Sequence, residues 1–216
     1  MPVQLSLWWT LVGAGLLISF TPGAGAISTM ANSLAGGWAR SIWGVLGQQV
    51  ALIVHIVIVA LGVGVLVAAN HWLFTAIRWL GAAYLVFLGV QYWRDRPVGV
   101  GQLDAEIAQD TARPTHLQPG PMFRRGVLVN LTNPKAIVFF LAFTPQFIRL
   151  DGDLLTQYLV YAATLVAIDI IVMWFFFALA AKALRRFMRD AAGQRVISRI
   201  FGSLFIAVGV LLALLE

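Results

Sequence analysis

The chain has no cysteine, which excludes disulfides, thiolate metal sites and thiol redox chemistry. Acid is scarce as well: 9 Asp and Glu stand against 15 Lys and Arg, and charged residues make up only 11% of the 216 positions. The resulting net charge of +6 invites a nucleic-acid reading. The basic residues, however, fall in short stretches between apolar runs, where they set membrane orientation, so nucleic-acid binding is set aside. Catalytic signatures are missing too. The G-x-S-x-G, Walker A and H-E-x-x-H patterns do not occur, and His55, His71 and His116 are too scattered to make a metal site. ATP-driven transport therefore cannot come from this chain alone, and no set of polar catalytic residues assembles at one membrane interface.

What the chain has in abundance is apolar length. Hydrophobic residues reach 60% and the mean hydropathy is +0.86, which places the chain in a lipid bilayer. Six spans are expected, over residues 5–27, 43–69, 72–93, 127–148, 154–181 and 200–215, with Ser198 and a snorkelling Arg199 in the first turn of the short last one. A signal peptide cleaved after Ala26 is the rival for the first span, but it would lack a basic leader, so a retained helix is expected. Trp8, Trp9, Trp38, Trp43, Trp72, Tyr92 and Trp93 cluster near the ends of spans, as interfacial aromatics do. Twelve Lys and Arg lie in the first, third and fifth connections, from Arg40 to Arg199, and Arg149 alone lies on the other side. That asymmetry puts the odd connections in the cytoplasm and both termini outside. The one long connection mixes both charge signs with Pro and Gly, and reads as a flexible cytoplasmic linker over 94–121 between halves at 1–93 and 122–216.

The halves look related. Arg78, Gly81, Tyr84, Gly89 and Val90 of the third span recur in order as Arg199, Gly202, Phe205, Gly209 and Val210 of the sixth. With three spans in each half, the second copy enters the membrane from the opposite face, so the expected fold is all-α: six transmembrane helices in two inverted three-helix repeats. The same superposition pairs Pro22 with Pro134, which interrupt the first and fourth spans, and matches His55 with Asp169, 33 and 35 residues further on. A membrane proline lacks one backbone donor and frees a carbonyl one turn earlier. Such paired breaks point to a substrate site, here flanked by Thr21, Gly23 and Gly25 and by Asn130, Asn133 and Lys135; kinked packing helices are the plainer reading.

Four ionisable residues fall within spans: His55, Arg78, Lys135 and Asp169. Asp169 is near mid-depth, where an unpartnered charge costs about 2.5–3.5 kcal/mol. It is either a coupling or ligand group or the partner of Lys135 or Arg78. Lys135, at the start of a half-helix, favours a carboxylate or pairs with Asp169. His55 is a proton relay or a hydrogen-bonded core residue, and Arg78 snorkels outward.

Taken together, Phe20-Thr21-Pro22-Gly23-Ala24-Gly25-Ala26-Ile27, Gly81-Ala82-Ala83-Tyr84-Leu85, Asn130-Leu131-Thr132-Asn133-Pro134-Lys135-Ala136 and Phe143-Thr144-Pro145-Gln146-Phe147-Ile148 resemble the lysine-exporter/resistance-to-homoserine-threonine family. The resemblance spans nearly the whole chain, and is nearest to the homoserine/homoserine-lactone efflux subgroup. Ala24 stands where many members have a second proline, and Arg78 where Lys is common. The resemblance implies proton-motive export of small amino acids (homoserine, its lactone, threonine or serine) from the bacterial cytoplasm across the inner membrane, with no cofactor. It adds Gln146 to the candidate binding residues. Homoserine and its lactone share an α-ammonium, which Asp169 and the carbonyls before Pro22 and Pro134 are placed to bind. An exporter of another amino acid class or of an inorganic ion, and a membrane enzyme or assembly factor, stay open as alternatives, as does a homo-oligomer.

Overall fold

A computed structural model describes residues 5–69, 71–94, 100–148 and 152–214, nearly all helical. Helices α1 (Leu5–Phe20) and α2 (Ala24–Gly36) meet at a bend of 58°, and α6 (Pro119–Leu131) and α7 (Pro134–Phe147) at one of 60°. Between them run α3 (Trp38–Ala69), α4 (His71–Arg94) and α5 (Val100–Ala112), with a 3₁₀ turn at Pro114–Leu117. After them come α8 (Leu154–Ile170), a π-helical stretch at Ile171–Ala178, α9 (Ala181–Arg189) and α10 (Ala191–Leu214).

Among the described residues three helical stretches are long and apolar enough to cross a membrane: Trp38–Gly62, Leu154–Ala178 and Ala192–Leu214; each bent pair adds one, for up to five. Several expected boundaries move. The second span begins at Trp38 rather than residue 43, and the last begins near residue 191, which puts Ser198 and Arg199 two turns inside α10.

The expected flexible linker is another correction. Its described part from residue 100 to 117 is helical, and α5 packs on α2 with Leu103 fully buried in an apolar core beside Met30, Val45 and Phe177. Leu103 and Ile107 lie one turn apart and form the buried stripe of α5, while Asp104 takes hydrogen bonds from Arg185 (2.8 Å) and Arg189 (3.1 Å) on α9. Asp110 is fully buried and accepts both terminal nitrogens of Arg125 on α6, at 2.6 and 2.8 Å; Arg125 also donates to Asn32 on α2.

Small residues set the closest helix contacts. α4 and α10 approach through the glycines that recur between the two halves: a Cβ on Gly89 would stand 2.6 Å from the Gly202 carbonyl, and one on Gly202 2.7 Å from that of Gly89. α3 and α6 touch just as closely, because Gly47 lies on the Phe123 carbonyl and Gly126 on that of Gly44.

This packing leaves two apolar cores. One gathers Leu11, Leu52, Leu85, Phe139, Phe143, Tyr161 and Phe205 from α1, α3, α4, α7, α8 and α10. The other gathers Ala26, Met30, Val45, Leu103, Val172 and Met173 from α2, α3, α5 and the π stretch. α2 is buried continuously from Gly25 to Asn32; its Gly, Ala, Ser and Thr side chains let neighbours close on every side. Both bends fall where the two cores meet.

Candidate functional site

The first bend follows from Pro22. Without an N–H on Pro22, the Ile18 carbonyl loses its intrahelical donor. Thr21 still closes on Leu17 O through its N–H (3.2 Å) and its hydroxyl (2.6 Å), and the helix resumes when Ile27 N–H reaches Gly23 O at 3.0 Å. The Pro22 carbonyl accepts from the Tyr92 hydroxyl at 3.2 Å.

At the second bend, Asn133 N–H turns back to Asn130 O (3.2 Å), while the Asn133 side chain caps α7 by accepting from the Lys135 backbone N–H at 3.1 Å. Pro134 takes the first position of α7, where a missing N–H costs no hydrogen bond; the residue itself is exposed.

Lys135 crosses from the second bend to the first. Its ammonium donates to Ile18 O at 3.0 Å and to Thr21 O at 2.6 Å. The carbonyl freed by Pro22 is therefore occupied, and the Asn130 carbonyl before Pro134 is occupied by Asn133. Each of the two carbonyls thus already accepts one hydrogen bond within the protein. Asp169, the last residue but one of α8 and two residues before the π stretch begins, accepts from Ser19 Oγ at 3.0 Å and Gln49 Nε2 at 2.7 Å. Each of the two side chains is thus bonded to neutral partners.

A cavity of about 50 Å³ lies at the junction of the two bends. Ser19, Gly25, Gln48, Asn130, Asn133, Lys135 and Asp169 form its polar wall, and Leu52, Phe139, Phe140, Leu165 and Met173 are among its apolar residues. A second polar chain steadies it: Gln48 Nε2 donates to Gly25 O (3.1 Å) and Thr29 Oγ1 (2.9 Å), and Asn130 Nδ2 donates to Gln48 O (3.0 Å). The volume is well below the ~300 Å³ and upward of pockets for drug-sized ligands. A π stretch beside a charged cavity residue fits a functional role, since π-turns tend to mark such sites.

The structure brings together Gly25, Asn130, Asn133, Lys135 and Asp169 around the cavity, with Thr21, Pro22 and Gly23 in the adjoining bend. Others stand apart. His55 is buried one layer back, its ring stacked on Phe140 at 5.6 Å, with Nδ1 unpartnered among the described residues. Gln146 turns onto its own helix, donating to Ala142 O at 2.9 Å, and does not line the cavity. The side chain of Arg78 lies outside the described residues. Sequence reasoning missed Ser19, Gln48 and Gln49. The adjacent glutamines in an otherwise apolar run are a usable signal, but they lie far in sequence from both proline breaks.

The profile of the LysE type translocator family matches residues 16–216. The homoserine/homoserine lactone efflux protein of Salmonella typhimurium is 37% identical, with 95% of each chain covered, and that of Salmonella typhi is 38% identical over the same share. A membrane protein of Vibrio cholerae described as uncharacterized is 40% identical over 98% of both chains. No solved structure matches.

Proposed function

The chain belongs to the LysE type translocator family, a family of multi-pass membrane transporters, and from that premise we propose that it exports homoserine, homoserine lactone and related small amino acids such as threonine and serine, in exchange for protons. The observation that carries the reading is the placement of one carboxylate and one ammonium, Asp169 and Lys135, on the wall of a single cavity where two broken helices meet. A zwitterionic amino acid is complementary to that pair: its α-ammonium goes to Asp169, its carboxylate to Lys135, and its short side chain to the wall of Leu52, Phe139 and Phe140. Ser19 and Gln49 orient the Asp169 carboxylate toward the cavity, and Gln48, Gly25 and Asn130 shape the floor.

Proton coupling needs an intramembrane group whose charge or pairing changes during the cycle, and Asp169 is the carboxylate available at the site. The architecture that goes with this reading is six spans in two inverted repeats, 1–93 and 122–216, with α4 completing the first and residues 94–121 on the cytoplasmic side. Both termini then face the periplasm and the protein sits in the inner membrane.

Inverted vesicles carrying the protein test this. Uptake of labelled homoserine should rise when a proton gradient is imposed, and Asp169→Asn, inserted at the parental level, should abolish accumulation against a gradient while downhill exchange survives. Proton-driven accumulation at the parental rate in that variant would remove Asp169 from coupling and pass the role to His55.

A further inference from the structure

One side chain bonds directly from the second bend to the first. Lys135 Nζ, on the second bend, grips Ile18 O at 3.0 Å and Thr21 O at 2.6 Å on either side of the first bend's last turn, and a side chain on Gly23 would already be within 3.6 Å of Lys135 Cε. The cavity beneath is about 50 Å³. A ligand the size of an amino acid gains room when α1 and α2 separate from the start of α7, and that movement pulls both carbonyls away from the ammonium. A buried ammonium parted from two of its acceptors carries a penalty, and a ligand shifts the closed form to the open one only as far as it interacts better with the open one. A free carboxylate does so. It is a stronger acceptor for an ammonium than a peptide carbonyl, and Lys135 has three N–H donors of which the carbonyls use two.

We infer that Lys135 is the specificity-determining latch of the cavity: substrates with a free carboxylate release it by replacing the Ile18 and Thr21 carbonyls, and substrates without one open the site against an unpaired ammonium. The inference rests on the transporter reading above and deepens it, because it ranks the substrates. The open-chain amino acid is preferred over the lactone through its carboxylate, independently of the ammonium contact to Asp169 that both share. The side chain at position 135 then sets that preference, and an uncharged one inverts it. With Met there, no buried charge is left waiting for a carboxylate; the two carbonyls are then unpaired in closed and open forms alike.

The test compares initial export rates of labelled homoserine and labelled homoserine lactone in inverted vesicles under one proton gradient. The parental protein should favour homoserine by about tenfold or more, the effect of leaving one buried charged donor unpaired. Lys135→Met should lose homoserine export and keep or raise lactone export, and Lys135→Arg, which keeps the charge and the donors, should retain the parental order. Equal or lactone-favouring rates in the parental protein overturn the latch while leaving the transporter reading intact; so does a Lys135→Met variant that loses both substrates in proportion. If that variant fails to insert, the parental rate ratio and the Lys135→Arg order decide. Export of neither substrate by the parental protein overturns the transporter reading, and the latch with it.

Discussion

The ammonium of Lys135 stands in for the amide that Pro22 lacks: it donates at 3.0 Å to the Ile18 carbonyl, the group one turn before the proline that an ordinary residue 22 would have bonded. A break in one half of the chain is thus completed by a side chain from the break in the other, 117 residues away.

Pro22→Ala returns an N–H to position 22, and that N–H competes with Lys135 for Ile18 O. The expected outcome is a protein that inserts at the parental level, with a straighter α1–α2 junction, and exports homoserine more slowly, because a straightened junction no longer sets Ser19 and Gly25 on the wall of one cavity. Parental export at equal protein level would reduce the 58° bend to a packing feature.

The ion pairs of α5 differ in environment and should differ in weight. Asp110 is fully buried against Arg125, whereas Asp104 is 36% exposed against Arg185 and Arg189. Asp110→Ala leaves Arg125 in a largely enclosed site with Asn32 for company, and should cost about 3 kcal/mol of stability. Asp104→Ala should cost under about 1 kcal/mol. Thermal unfolding in detergent measures both, and equal shifts in the two variants would contradict the burial argument.

Glu106 supplies a pH dependence. Its Oε2 is buried with no hydrogen-bond partner among the described residues; burial pushes the carboxyl above its ordinary value of 4.5, Arg125 opposes the rise and Asp110 adds to it. Because the folded state then keeps its proton longer than the unfolded state, the associated stability is fully present below 4.5 and declines as pH climbs through the raised value. Glu106→Gln should remove that decline, so the melting temperature of the variant should gain on that of the parent as pH rises above 4.5. Parallel curves would show that Glu106 titrates alike in both states.

Topology follows from the distribution of Lys and Arg. A reporter that works only in the cytoplasm should be active when fused after Arg113 or Arg189 and silent when fused after Glu216. Activity at the C-terminus would mean an odd number of spans and would end the inverted-repeat proposal.

Sequence alone determined the solvent, the helical class, the positions of both breaks and the family, because each is written in local chemistry. Apolar length selects the bilayer, a proline deletes its own amide wherever it sits, and short motifs such as Asn133-Pro134-Lys135 are contiguous. The packed helix α5 was partly legible too: Leu103 and Ile107 have the spacing of one helix face, but the Pro, Gly and mixed charge around them suggested a linker. Only the tertiary structure decided who partners whom. Ser19 reaches Asp169 across 150 residues and Gln49 reaches it across 120, and nothing in a serine or glutamine as such distinguishes these from Thr29 or Gln146, which bond elsewhere. Lys135 read as a mate for Asp169 or for a substrate carboxylate, and the fold gives it to the Ile18 and Thr21 carbonyls. Its choice depends on how closely two bent helices pack, and that distance is set by every side chain between them rather than by the lysine.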